Sequence, residues 1–362
     1  MSKTIAILTG GGDCPGLNGV IRGVVNAATL HRGWHVLGIL DGFDGLVEGP
    51  RYRELTSEEM VGLLPMGGTI LGTSNRGNPF RYPVKIDGKR EMIDVSQRVV
   101  ENFRKIGADA LVVVGGDGTL KIARRLNEMG VPIVGVPKTI DNDLRGTDVT
   151  FGYNTAVGVV TEALDRLHTT AQSHHRVMVV EVMGRDAGWI ALEAGIAGSA
   201  DVILIPEIPF DPRLVCKAIV RRREEGRRFS IVVVAEGAYP LHGTKVVKIS
   251  PEGNFGVARL GGIGEWVSGE IEGCQGLETR VVVLGHVQRG GTPSPFDRIL
   301  SSRFGVHAVE LIENGEFGKM VALHGREVIA LDIDTSVSSL NRVDPEGNLV
   351  RTAEQLGIML GR

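Results

Sequence analysis

Residues 110–119 read ALVVVGGDGT, an apolar, β-branched run that ends in a glycine loop holding one acid. Such an unbroken run suits a strand buried on both faces. The glycines let the backbone turn sharply, and helical periodicity follows Thr119. The same cadence recurs along the chain. It predicts strands over 4–9, 34–40, 132–136, 176–182, 202–206, 229–235 and 279–285. Segments 17–30, 95–106, 154–171 and 212–224 read as helices. Continuous apolar strands alternating with helices predict an α/β protein with parallel sheets covered on both faces. The number of strands suits two doubly wound units rather than one barrel.

The chain has 362 residues, enough for about two domains and a substantial core. With 42% apolar and 23% charged residues, disorder is not expected. A formal net charge of −3 gives no bulk attraction to nucleic acid or to an anionic membrane, so any anion site must be built locally. Cys14, Cys216 and Cys274 form no CxxC pair, so neither a disulfide framework nor a zinc site is suggested. A reducing compartment, the cytoplasm, is expected. The apolar run in MSKTIAILTGGG is too short for a signal peptide, and no stretch reaches membrane-spanning length. Domain boundaries are expected near 152–154, where a glycine turn meets an Asn cap, and near 288–294. Gly237–Gly262, rich in Gly and Pro, reads as an irregular insertion.

In open α/β sheets, ligands sit beyond the carboxyl ends of the strands. After 4–9 comes GGGDCPGLN (10–18), whose backbone N–H groups can converge on an anion at a helix start. In GGDGT (115–119) the acid Asp117 lies inside such a loop. It would repel phosphate unless a cation lay between them, so Asp117 reads as a Mg²⁺ ligand under a polyphosphate; a plain helix cap is the alternative. After 132–136 comes PKTIDND (137–143). In an extended chain Thr139, Asp141 and Asp143 share one face. That set suits taking a proton from an alcohol and holding a metal; a polar Asx turn is the plainer reading. Met183-Gly184-Arg185, Glu236-Gly237 and His286-Val287-Gln288-Arg289 follow three more strands. Arginine forks onto phosphate oxygens, and Glu236 suits sugar hydroxyls. Taken singly, a helix cap, a buried histidine and surface charges explain these residues as well. No GxxxxGK[ST] and no GxGxxG occurs.

GGGDCPGLN, GGDGT, PKTIDND, VEVMGR, AEG and GHVQRGG, in this order, resemble the 6-phosphofructokinase family from Ile5 to about Phe304. GTDVTFGYNTAV and the long stretch between Glu236 and Arg280 are similar to the branch that holds both ATP- and pyrophosphate-dependent enzymes. The resemblance implies phosphorylation of fructose 6-phosphate at C1, with Mg²⁺, in glycolysis. It implies two doubly wound, mostly parallel-sheet domains with the active site in the cleft between them. Residues 1–152 plus about 288–340 would bind the phosphoryl donor, and 153–287 plus about 341–362 fructose 6-phosphate.

The resemblance also assigns roles. Asp141 is the base, with Thr139 and Asp143 beside it; Asp117 and Asp143 are the metal residues. Gly11, Gly12, Gly116, Gly118, Thr119 and Lys138 line the donor side, and Gly12 cradles the transferring phosphoryl group. Arg76 stands one position later than the family's donor arginine. Arg185 offsets transition-state charge, and Met183, Gly184, Glu236, His286 and Arg289 bind the sugar phosphate. Arg176 and Arg280 match arginines that reach the 6-phosphate of a neighbouring subunit, which implies self-association, as a homotetramer rather than a homodimer. On the donor, Gly118 is of the ATP type, while pyrophosphate users have an acid there; Lys138 is of the pyrophosphate type. An acid at 118 excludes a nucleotide directly, so ATP is the expected donor and pyrophosphate the alternative. Arg22 matches one effector-pocket residue, but Asn26 and His168 replace two others, so weak or absent effector control is expected. Another GGDGT-type kinase, acting on NAD or a lipid, is the remoter reading and leaves TIDND and HVQRGG without a role.

Overall fold

The chain opens with β1 (Thr4–Thr9), β2 (His35–Ile39) and β3 (Tyr52–Leu55), then a hairpin of β4 (Tyr82–Ile86) and β5 (Lys89–Ile93). It continues through β6 (Ala110–Gly115), β7 (Ile133–Pro137), β8 (Val177–Val182), β9 (Val202–Leu204) and β10 (Ser230–Ala235). The short β11 (Val247–Lys248) and β12 (Arg259–Leu260) precede β13 (Thr279–Val283), β14 (Lys319–His324) and β15 (Glu327–Asp332). The helices are α1 (Leu17–Arg32), α2 (Asp44–Val47), α3 (Ser96–Lys105), α4 (Asp117–Glu128), α5 (Tyr153–His174) and α6 (Trp189–Ala197). They continue with α7 (Pro212–Glu224), α8 (Ile263–Gly273), α9 (Pro295–Glu313), α10 (Ile333–Val337) and α11 (Asn348–Gln355). This computed structural model describes residues 2–75, 77–86, 88–248, 259–274 and 276–362. No helix among them is long and apolar enough to cross a membrane.

Two compact units emerge. The first comprises 1–140, 144–155 and 289–340; the second comprises 141–143, 156–288 and 341–362. The first holds a seven-stranded sheet, in the order β15-β14-β7-β6-β1-β2-β3. Its five central strands are parallel, and β3 and β15 close its edges antiparallel. β1, β6 and β7 bury their side chains on both faces (Ile5, Ala6, Leu111 and Val113 among them). That is why they read as unbroken apolar runs. One face packs on Val99 and Phe103 of α3 and on Leu120, Ala123 and Leu126 of α4.

The second unit holds a four-stranded, all-parallel sheet in the order β13-β8-β10-β9. Val179, Val232 and Leu204 meet Val215 and Ile219 of α7 and Ile263 and Val267 of α8 in one core. Local chemistry sets the helix starts. Asp211 caps α7 by accepting from Arg213 N, with Pro212 in the first turn. Ser294 caps α9 by accepting from Asp297 N, with Pro295 following.

β3, β4, β5, β11, β12, β14 and β15 were not among the strands predicted from the sequence. β3 and the β4–β5 hairpin carry charge among their apolar residues, and β15 pairs with β14 around the left-handed Gly325. The β4–β5 and β14–β15 pairings are hairpins, β3 returns antiparallel to β2 after α2, and β14 adds in parallel to β7. The cysteine reading also needs correction. Cys216 on α7 and Cys274 at the end of α8 lie with Cα atoms 6.2 Å apart, inside the range a disulfide bridges. They are 58 residues apart in sequence, and only the packing of α7 on α8 brings them together. In the insertion expected over 237–262, residues 249–258 lie outside the described residues.

Candidate active site

In the first unit, the loops after β1, β6 and β7 leave neighbouring strands of one sheet. The β1 loop is tied down on both sides. Gly10 N donates to Val114 O at 2.9 Å and Gly11 N to Ser74 O at 3.2 Å. Thr73 Oγ1 donates to Gly11 O at 2.6 Å. Thr119, the third residue of α4, packs under Gly10, where a Cβ would stand 2.8 Å from the Thr119 methyl. Glycine is required there by close approach.

Two cations flank Gly12. Lys138, buried at the end of β7, donates from Nζ to the Gly12 carbonyl. The Arg289 guanidinium comes within 2.8 Å of where a Gly12 Cβ would stand and donates to Asp13 O at 3.2 Å. A glycine loop at a helix start with two fixed cations has the chemistry to hold an anion despite the chain's negative net charge. Cys14 in this loop is no nucleophile. It is fully buried, its Sγ faces Phe151 O at 3.7 Å, and burial pushes its thiol up to about 12.

Asp117 opens α4, its side chain 27% exposed and paired with Lys121 at 2.8 Å. Among the described residues no group of three His, Cys, Asp or Glu can hold a metal ion. A Mg²⁺ that arrives with phosphates needs only one or two carboxylates and keeps water for the rest, and a half-open Asp117 fits that use. At Gly118 a Cβ would meet nothing within 4 Å, so the loop leaves open space there. Thr139 is buried, and its carbonyl accepts from Thr150 Oγ1 at 2.7 Å. Gly116 caps α4 with extended backbone. Arg76 lies outside the described residues.

The extended alternation expected from Thr139 to Asp143 does not hold. β7 ends at Pro137, and Asn142 takes a left-handed φ of 52°, so the period-two rule fails across the acids. Asn tolerates this conformation better than most residues. Asp141 and Asp143 are both buried. In the second unit, Asn341 holds their segment, donating from N to Asp143 O and from Nδ2 to Asn142 O, both at 2.9 Å. No sequence motif pointed to Asn341.

Also in the second unit, the loops after β8, β10 and β13 leave adjacent strands. Met183 N donates to Gln288 Oε1 at 3.3 Å, and Arg185 N to Glu236 Oε1 at 3.1 Å. Gly184 has φ 145°, and Arg185 has the left-handed φ of 52°. Arg185 is held there by its neighbours: a Cβ at Gly237 would collide with the Arg185 carbonyl oxygen. His286 is exposed rather than a buried histidine, and it sits with Arg289 in the 3-10 turn Gly285–Arg289. Arg176 and Arg280 share Glu278, at 2.9 and 2.7 Å. The Arg176 hydrogen bond holds this exposed carboxylate below its usual range.

Glycine loops with fixed cations, an acid at a helix start and buried acids beyond strand ends define an α/β phosphoryl-transfer protein. The phosphofructokinase family model matches residues 4–312, and the chain belongs to this family. It is 54% identical over 358 residues to the ATP-dependent 6-phosphofructokinase 2 of Clostridium perfringens, covering 98% of each. It is 50% identical over 358 residues to the pyrophosphate–fructose 6-phosphate 1-phosphotransferase of Streptomyces coelicolor, covering 99% of each. The phosphofructokinase of Saccharomyces cerevisiae matches with a TM-score of 0.79 at 34% identity. That match covers 93% of this chain and 45% of the yeast chain, so this chain spans under half of the yeast one.

Proposed function

We infer that this chain transfers the γ-phosphoryl group of MgATP to the C1 hydroxyl of fructose 6-phosphate, giving fructose 1,6-bisphosphate and ADP, in glycolysis. The bond formed is C1–O to Pγ; the bond broken joins Pγ to the β–γ bridging oxygen. Asp141 takes the hydroxyl proton. Its burial fits a base, because it keeps bulk water away from the proton transfer. Mg²⁺, with Asp117 and Asp143 proposed as its carboxylates, supplies charge neutralisation to the phosphates when bound. Gly11, Gly12, Gly116 and Thr119 receive the donor phosphates, and Arg289, Met183, Gly184, Glu236 and His286 bind the sugar phosphate. Arg185 meets charge that develops on the transferring group.

One observation carries the choice of donor: the open space at Gly118, where pyrophosphate users in this family have an acid. Pyrophosphate remains the second reading because of Lys138. That lysine is engaged with the Gly12 carbonyl, and in this position it buttresses the phosphate loop with either donor. A coupled assay with each donor tests the reading. Turnover is expected with MgATP; robust turnover with Mg-pyrophosphate and none with ATP would overturn it. Asp141→Ala should lower kcat by roughly 10² to 10⁴, and wild-type turnover would remove Asp141 as the base.

Cytoplasmic residence and a homotetramer, in which Arg176 and Arg280 complete a neighbour's site, belong to the same proposal. Elution as an active monomer would count against the assembly. Weak or absent effector control follows from Asn26 and His168, and a large saturable response to ADP or phosphoenolpyruvate would contradict it.

A further inference from the structure

The insertion between Glu236 and Arg280 reaches back to the Arg185 turn. Its first part is tied to the end of β10 and to the segment between β9 and α7: Ala238 N donates to Ala235 O, Phe210 N to Tyr239 O and Leu241 N to Phe210 O, at 2.9, 3.2 and 2.8 Å. A tight turn follows, with Gly243 N on Pro240 O at 2.9 Å. Lys245 comes next, and its Nζ pairs with Oδ1 of Asp186. Asp186 is the immediate neighbour of Arg185. Among the described residues no ion pair engages the exposed Arg185 guanidinium.

A carboxylate next to a phosphate-binding arginine is a competitor for it. Arg185 and Arg342 already act on Asp186, more weakly than Lys245 does, and Lys245 is the main reason its carboxyl lies below the usual range. Remove Lys245, and Arg185, the adjacent residue in the chain, is the strongest remaining cationic influence on Asp186. We propose that Lys245 is a positioning residue: by occupying Asp186 it keeps that carboxylate off Arg185 and leaves the guanidinium for the anionic substrate. This rests on the assignment of Arg185 to the sugar phosphate and the transferring group.

The test compares four variants, each checked for folding by its thermal melt. Lys245→Met should raise KM for fructose 6-phosphate roughly two- to fivefold, the range an exposed ion pair supports, with KM for MgATP unchanged. Lys245→Arg should keep the wild-type value. Asp186→Asn breaks the same pair but removes the competitor, so it should behave as wild type, and Lys245→Met combined with Asp186→Asn should restore the wild-type KM. A bridge that merely braces the loop predicts the opposite: Asp186→Asn as impaired as Lys245→Met, with no restoration in the double variant. That result overturns the proposal. Wild-type kinetics in Arg185→Ala would instead remove the underlying assignment of Arg185, a separate and recognisable failure.

Discussion

Substituting Gly237→Ala should cripple the site without touching a charged group. Gly237 follows Glu236 at the end of β10 and lies against the carbonyl of Arg185. A Cβ there would overlap that oxygen, closer than real Cβ atoms are found, and would stand 3.0 Å from the carbonyl carbon. Both partners are backbone, so no side-chain rotation relieves the clash. Arg185 has little room to yield, because its left-handed φ and its N–H bond to Glu236 already fix it. The two backbones must separate by about 1 Å, and a displacement of that size at a positioning group costs roughly 100-fold in rate. Overpacking of this kind also destabilises by about 1–3 kcal/mol. The measurements are kcat/KM for fructose 6-phosphate in a coupled assay and a thermal melt. Gly269→Ala serves as the control: it lies in α8, its Cβ would meet nothing within 4 Å, and alanine there should stabilise by roughly 0.5–1 kcal/mol. If Gly237→Ala keeps wild-type kcat/KM and melts at the wild-type temperature, the turn is not held as described.

The remaining predictions concern the donor and pH. Gly118→Asp should fold normally, since its Cβ enters open space, and should raise KM for MgATP by roughly tenfold or more through repulsion of about 1–3 kcal/mol; an unchanged KM removes Gly118 as the donor determinant. Glu207 accepts at Oε1 from Gly188 N and Val343 N, both at 3.0 Å, while its buried Oε2 has no hydrogen-bond partner. Burial pushes its carboxyl above the usual range, so the folded protein binds the proton more tightly than the unfolded chain. Its contribution to stability is therefore full at low pH and is lost as pH rises through the folded pKa. Glu207→Gln keeps an acceptor for both N–H groups without the charge and should flatten the fall in melting temperature from mildly acidic to neutral pH. Parallel curves for wild type and variant would reject this account.

The sequence by itself determined which strands form the middles of the sheets and where ligands are to be sought. β1, β6, β7, β8 and β10 are buried on both faces, so each leaves an unbroken apolar run, and the glycines and acids that follow are contiguous with it. Such signals are local, and a chain read in order displays them. The order GGGDCPGLN to GHVQRGG also disclosed the family. Tertiary structure alone decided the contacts whose partners lie far apart along the chain. β14, far along the chain from β7, adds to it in parallel. Asn142 departs from extended geometry while Asn341, some two hundred residues away, holds its carbonyl. Cys216 meets Cys274, and Lys245 meets Asp186. A hydrogen bond or ion pair of this kind leaves no period and no motif in either segment, because its geometry exists only once two separately formed elements have packed.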